Sequence, residues 1–227
     1  MIIREVLDEI CELIIQHMPQ IEATRYKITL KEDGTPVTSS DLYVENLVHN
    51  FVKEKFPRVV FIAEESFNYR NFHTEDYIVV LDPIDGTENF CSGLKEWGIS
   101  FGIWMGNSFQ GAFLLMPELG LKLMTGDKLE KISSRLTGVS SSISQSILDL
   151  IGEPGEYRIT GCAVYNLYNV IRGSFQKFVN PKGAHVWDLL PGMMLALEHG
   201  CTVYVEGEPY SGQFLNPTKK YRIEVSR

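Results

Sequence analysis

The sequence predicts a layered fold of mixed helices and strands, α/β or α+β. Two observations carry that prediction: apolar residues recur at helical spacing in several segments, and short continuous apolar runs lie between those segments. Runs of this kind mark strands buried on both faces. The chain has 227 residues, with no internal repeat and no low-complexity linker. That length fits one large domain or two intimately packed halves and is enough to bury a core.

Ile3, Val6, Ile10, Leu13 and Ile14 set the period of an amphipathic opening helix. The loop "KEDGTPVTSSD" follows. Its Thr38 and Asp41 form a capping pattern before a helix with Leu47, Val48, Phe51 and Val52 on one face. "VVFIA" is a buried strand that stops at Glu64-Glu65-Ser66, and "YIVVL" is a second that stops at Asp82. "GISFGIW", "GAFLLM" and "LKLMT" read as further strands joined by Gly-rich turns. Residues 126–156 are rich in Ser and Gly, and no firm element is expected there. "AVYNLYNVIRG" is a helix with Val164, Leu167, Val170 and Ile171 on one face and Gly173 after it. "FQKFV" is a strand, "WDLLPGMMLALEHG" a helix stopped by Gly200, and "CTVYV" the last clear strand.

Composition narrows the function. The hydrophobic fraction of 44% and charged fraction of 22% are those of an ordinary globular protein. A net charge of -8 argues against nucleic acid as a partner, because phosphate contacts need a basic face. The four cysteines, Cys11, Cys91, Cys162 and Cys201, form no C-x-x-C pair and read as reduced thiols of a cytoplasmic protein. The apolar N-terminus carries Glu5, Asp8, Glu9 and Glu12, unlike a signal peptide. No apolar run approaches membrane-spanning length, so no membrane partner is expected.

The chemistry gathers at element ends, where scaffolds present function. In "YIVVLDPIDGTENF" a buried strand runs into Asp82, Pro83, Ile84, Asp85, Gly86 and Thr87. Pro and Gly are turn residues, but two close carboxylates repel unless something positive lies between them. Pro83 fixes φ between the acids, a geometry that suits both carboxylates and the Ile84 carbonyl aimed at one metal cluster. Gly86 and Thr87 open a short helix whose first N–H groups can take an anion. Taken singly, Asp41 and Asp188 are helix caps and Glu65 is a solvated charge. Taken as a set, converging carboxylates call for a hard cation, and Mg²⁺ suits few carboxylates beside a substrate phosphate. A haloacid-dehalogenase-type D-x-D-G-T motif has one residue between its acids, and "DPID" has two.

"LDPIDGTENF" resembles the D-P-x-D-G-T signature of the inositol monophosphatase family of lithium-sensitive, Mg²⁺-dependent phosphomonoesterases. That superfamily also holds bisphosphate nucleotidases, sugar bisphosphatases and some histidinol-phosphatases. Four further segments resemble family motifs in order. They are "KEDGTPVTSSD", "IAEES" with Ala63 for glycine, "TGCAVYNL", and "VWDLLPG" with Leu190 and Pro191 for two alanines. The set spans residues 31–192.

The resemblance implies a layered sandwich like that of inositol monophosphatase and fructose-1,6-bisphosphatase. It implies one phosphatase domain over 1–227, with most metal ligands in residues 1–120 and Asp188 in residues 121–227. Glu64, Asp82, the Ile84 carbonyl, Asp85 and Asp188 would hold two or three Mg²⁺ ions, with Mn²⁺ an alternative. Asp41, Thr87 and Glu64 would activate the attacking water, and Gly86 and Thr87 amides would grip the phosphate. Gly161, Cys162, Ala163, Asn180 and Lys182 would face the substrate, a small-molecule phosphate ester; a homodimer is left open. Residues 126–156 are short for the family, so a strand or helix of the second half is expected to be missing. Cys162 replaces the usual Ser/Thr, and the acid that selects inositol has no counterpart before Trp187, so the ester is not fixed as an inositol phosphate. Lys182 reads as a solvated loop charge and His185 as a packed or exposed neighbour. The contrary reading, from another functional class, is a non-catalytic metal- or phosphate-binding relative.

Overall fold

Helices and strands alternate in the order expected, and the chain folds as sheets interleaved with helices. The computed structural model describes residues 3–31, 34–67, 76–141 and 143–227. Glu32 and Asp33 of the early loop lie outside them. The chain opens with helices α1 (Ile3–Gln16) and α2 (Met18–Ala23), a small hairpin of β1 (Ile28–Leu30) and β2 (Pro36–Thr38), and helix α3 (Ser39–Lys55). Next come β3 (Val60–Ala63), β4 (Tyr77–Asp85), the short helix α4 (Thr87–Cys91), β5 (Gly98–Met105), β6 (Ser108–Met116) and β7 (Leu121–Met124). The remainder holds β8 (Leu136–Val139), α5 (Gln145–Gly152), β9 (Glu156–Ile159), α6 (Ala163–Arg172), β10 (Lys177–Ala184), α7 (Val186–Glu198), β11 (Thr202–Val205), β12 (Glu208–Pro209) and β13 (Tyr221–Ser226).

The first sheet has the order β3-β4-β5-β6-β7, with β3 and β4 parallel and the other pairs antiparallel. Alternation along β4 divides the core. Val79 and Leu81 face α1 and α3, packing with Val6, Ile10, Val44 and Val48. Ile78 and Val80 face the other way, toward α6 and α7. Both faces are covered, so the strand reads as an unbroken apolar run. The second sheet has the order β12-β11-β13-β10-β8-β9 and lays Phe178, Val203, Ile223 and Val225 on the far side of the same two helices.

Helix α7 is therefore enclosed between sheets, and nearly all its side chains are buried. Two glycines let it sit close. A Cβ on Gly192 would come 2.5 Å from the Leu167 side chain of α6. A Cβ on Gly102 of β5 would come 3.2 Å from the Pro191 ring and 2.6 Å from the Trp104 ring.

Three expectations change. Residues 126–156 are not empty: they hold β8, α5 and the start of β9. The strand expected to stop at Asp82 pairs on to Asp85, because a register shift between these two residues lets β4 stay bonded to β5 past Pro83. CTVYV is not the last strand, since β13 lies between β11 and β10.

Candidate active site

Strand pairing builds the acidic centre. Ala63 and Leu81 are partners in the parallel β3–β4 pair, so Glu64, just past the end of β3, and Asp82, the next residue of β4, stand side by side. Helix α7 brings Asp188 to them from the layer behind. One carboxylate oxygen from each of Glu64, Asp82 and Asp188 lies within 4.8 Å of the other two. Asp82 is fully buried; its Oδ1 accepts the Ile84 N–H at 3.0 Å, and its Oδ2 has no hydrogen-bond partner. Burial, then the charges of Glu64, Asp85 and Asp188, pushes the Asp82 carboxyl well above the ordinary carboxylate range. Burial, then Glu64 and Asp85, pushes Asp188 up to about 8. An orphaned buried carboxylate oxygen among repelling acids is the environment a hard cation completes, and the donor set is all oxygen.

Taken singly, Asp188 reads as a helix N-cap. It stands instead at the third position of α7, where its Oδ2 accepts the His185 N–H at 2.6 Å. Pro191 lies beyond the first turn of α7.

Asp85 turns toward the other helix. Its Oδ2 accepts the Val164 N–H of α6 and lies 3.0 Å from the Cys162 thiol. Burial pushes Asp85 up to about 6 against the opposing pull of those two donors. Among the described residues Asp85 is not part of the three-carboxylate cluster, although its charge reaches Asp82 and Asp188.

On the opposite wall, the capping box at the start of α3 orders Asp41. Its Oδ2 accepts the Thr38 N–H at 2.7 Å, and the Thr38 hydroxyl lies 2.5 Å from the same oxygen. Its Oδ1 faces the Thr87 hydroxyl at 3.3 Å, and that hydroxyl also lies 2.9 Å from the Ile84 carbonyl. Burial raises Asp41 to about 6. Between these residues, Gly86 adopts a left-handed φ of 82°. A Cβ on Gly86 would come 3.0 Å from Cys162 Cβ and 3.3 Å from the carbonyls of Glu96 and Gly161, so the turn is closed to larger residues.

Glu65 corrects another expectation. It is not a solvated charge: its side chain is 7% exposed and its Oε1 is 2.7 Å from Lys31 Nζ. Burial pushes it up to about 7, against the pull of Lys31. Glu64 Oε1 is likewise 2.7 Å from Lys31 Nζ.

Comparison with known proteins fits this layout. The model of the inositol monophosphatase family matches residues 2–223.

The chain belongs to the inositol monophosphatase family.

Inositol-1-monophosphatase of Bacillus subtilis is 27% identical over 210 residues, covering 81% of this chain and 79% of that protein. A Staphylococcal inositol monophosphatase-1, in a LiCl-soaked inhibitory complex, superposes with a TM-score of 0.81 at 18% identity, over 99% of this chain and 89% of that one. An IMPase/NADP phosphatase complexed with Mg²⁺ and phosphate superposes at 0.75 and 19% identity, over 97% and 91%. The layered α/β fold is thus that of the family. Its members are metal-dependent phosphatases acting on phosphomonoesters, and the chain is an enzyme of that class.

The residues assigned to the family's substrate side divide. Gly161, Cys162, Ala163 and Asn180 line one cavity of about 130 Å³ together with Asp85 and Asp188. Cys162 caps α6, its sulfur accepting the Tyr165 N–H at 3.3 Å, and burial followed by the Asp85 charge holds its thiol well above the ordinary range. Asn180 is buried, and its Oδ1 accepts the Gly183 N–H at 3.0 Å. Lys182 is exposed and does not line that cavity, because β10 turns it outward. His185 is packed, its ring stacked on Trp187 with centroids 4.4 Å apart.

Sequence reasoning missed Ser140 and Ser141, which line the same cavity just past β8. They fall in the stretch where no element was expected. The signal available was the short run "LTGV" ending in "SSS", a strand-end loop rich in hydroxyls.

Proposed function

We propose that the protein hydrolyses a small-molecule phosphate monoester with a water activated by Mg²⁺. The buried, unpartnered Oδ2 of Asp82, within the Glu64, Asp82 and Asp188 cluster, carries this reading. Glu64, Asp82, the Ile84 carbonyl, Asp85 and Asp188 would hold two or three ions, Mg²⁺ or Mn²⁺. When bound, such ions lower the pKa of water and neutralise charge on the phosphoryl oxygens.

The chain's own residues supply the rest. Thr87, its hydroxyl poised between Asp41 Oδ1 and the Ile84 carbonyl, can pass its proton to Asp41 while accepting one from water. Asp41, raised to about 6, is ionised near neutral pH yet close enough to it to serve as a base. Glu64 would assist as a ligand of the metal. The Gly86 and Thr87 amides bind the phosphate, and Gly161, Cys162, Ala163 and Asn180 border the alcohol it leaves. Because this route uses water directly, no side chain needs to form a phosphoenzyme.

The acid that selects inositol is absent, so bisphosphate nucleotidase, histidinol-phosphatase and sugar bisphosphatase activities stand as alternatives of the same chemistry. The proposed metal ligands come from both halves, which favours one functional domain over 1–227. Four unpaired cysteines favour a reducing, cytoplasmic setting. No helix of the described residues is long and apolar enough to cross a membrane. A homodimer fits this reading, and light scattering would test it.

The deciding experiment is a screen of sugar, inositol, nucleotide and amino-alcohol phosphates with Mg²⁺, with chelator, and with added Li⁺. Turnover that needs Mg²⁺ and falls with Li⁺ supports the reading. Full turnover in chelator refutes the metal-activated water, and no turnover on any ester refutes the reading and leaves the non-catalytic relative.

A further inference from the structure

The strand behind the acidic centre carries a hydroxyl that no contact accounts for. Ser100 of β5 is the direct partner of Asp82 in the antiparallel β4–β5 pair. Residues opposite one another in such a pair put their side chains on the same face, with Cβ atoms about 4.5–5.5 Å apart. The shared face is the one toward α6 and α7, where Val80 and Leu114 also point. Ser100 is fully buried, and its Oγ has no hydrogen-bond partner. Asp82 Oδ2, on the neighbouring strand, is likewise buried and without a partner.

Packing does not call for a hydroxyl at this place. The residues two before and two after it on the same face are Gly98 and Gly102, where the helices press closest. A Cβ on Gly98 would come 2.6 Å from Val164 Cγ1 of α6, and one on Gly102 would come 3.2 Å from the Pro191 ring of α7. An alanine would fill the step between them without burying an unsatisfied hydroxyl, which is costly away from water. The orphan oxygen across the strand is the matching acceptor. An ionised carboxylate offers lone pairs on both oxygens. Asp82 Oδ1 already takes the Ile84 N–H. Oδ2 is therefore left to hold a cation with one lone pair and a hydroxyl with the other. A turn about the single χ1 torsion of Ser100 swings its hydroxyl between staggered positions.

We propose that Ser100 is a positioning residue of the metal centre: its hydroxyl donates to Asp82 Oδ2 and aims that carboxylate at the cation. The inference rests on the metal-dependent reading above. With the Ile84 N–H on one oxygen and the Ser100 hydroxyl on the other, the plane of the carboxylate is fixed before an ion arrives. Ser100 touches neither substrate nor ion and acts only through Asp82.

The test uses the full chain without substrate. Mn²⁺ binding is followed by the loss of the free-ion EPR signal, and Tm is measured in chelator. Ser100→Ala removes the donor and adds no bulk, while Ser100→Cys keeps the volume with a weak donor. The expected result is a Mn²⁺ dissociation constant raised roughly 10–100-fold in both variants, as when a hydrogen bond behind a metal ligand is lost. In chelator the Tm of Ser100→Ala should be unchanged or higher, because an unpartnered buried hydroxyl has been removed. A merely structural serine would move Tm and leave the ion affinity alone. Unchanged Mn²⁺ affinity in Ser100→Ala would overturn the proposal, whatever its Tm. Wild-type affinity in Ser100→Cys would overturn it as well, since volume and not the hydroxyl would then be what counts. A wild-type chain that binds no Mn²⁺ would defeat the metal-dependent reading itself, and this inference with it, an outcome distinct from the other two.

Discussion

Lys31 Nζ stands 2.7 Å from Glu64 Oε1 and 2.7 Å from Glu65 Oε1. An ammonium thus already sits against one of the proposed metal ligands, where it answers part of the acidic charge. Burial alone would favour the neutral amine, but the two glutamates reverse that and hold Lys31 above its ordinary pKa.

Lys31→Met should therefore act differently with and without metal. In chelator, loss of a partly buried charge-assisted pair should lower stability by about 1.5–3 kcal/mol. With saturating Mg²⁺ most of that loss should be recovered, giving a larger metal-induced rise in Tm than in wild type. Melting curves in both conditions measure it, and an equal rise in the two proteins would exclude the role.

Asp85→Asn and Asp188→Asn should each abolish turnover while keeping the fold. An asparagine oxygen can still accept from the Val164 or His185 N–H, so local geometry survives. Removing one of several repelling carboxylates should leave the metal-free Tm unchanged or raise it. Near-wild-type rates in either variant at saturating Mg²⁺ would contradict the ligand assignment. A large loss of Tm in Asp188→Asn would mean that its main task is to order the start of α7.

The same raised carboxyls fix the sign of a pH effect. Asp188 titrates near 8 in the folded metal-free protein and near 3.8 in the unfolded chain. Between those values the folded state holds more protons, so stability falls as pH rises. The contribution is fully present below about 4 and is lost as pH climbs through about 8. Denaturant titrations in chelator from pH 5 to 8 should show this decline, and Asp188→Asn should flatten it. An identical slope in the variant would remove Asp188 as the source.

Thr87→Ala should lower kcat by roughly 10²–10⁴-fold with little change in KM. Alanine keeps the backbone amide and removes only the hydroxyl facing Asp41. Thr87→Ser should retain most activity. If Thr87→Ala lost stability and kept its rate, the hydroxyl would be a helix-start contact only, and water activation would pass to Glu64.

Much of the fold and site was written in local patterns. β4 was legible because both its faces are covered, so every residue from Ile78 to Leu81 is apolar. "DPIDGT" was legible because a strand end with two acids has few other uses. β1 was not, because all three of its residues are exposed and carry no burial signal. β9 is mostly exposed for the same reason. β13 did leave a trace: Ile223 and Val225 alternate with Arg222 and Glu224. Glu65 was misjudged because its partner, Lys31, lies 34 residues away in sequence, a relation no local pattern holds. Asp188 was placed at the wrong helical position because helix starts are the least certain feature of a sequence reading.

The tight seating of α7 makes the cation affinity of this centre a property of distant packing. Gly102 and Gly192 leave the helix no slack to slide away from Glu64 and Asp82. The acids therefore cannot relieve their repulsion by moving apart; they can only take up protons or ions. A methyl group at either glycine would act as a shim, pressing on Leu167 at Gly192 or on Trp104 and Pro191 at Gly102, and so shifting the helix that carries Asp188. Such a shim would loosen ion binding without touching a single ligand, so the tuning screws for metal affinity lie in the buried seams of the helix, remote from the carboxylates they govern.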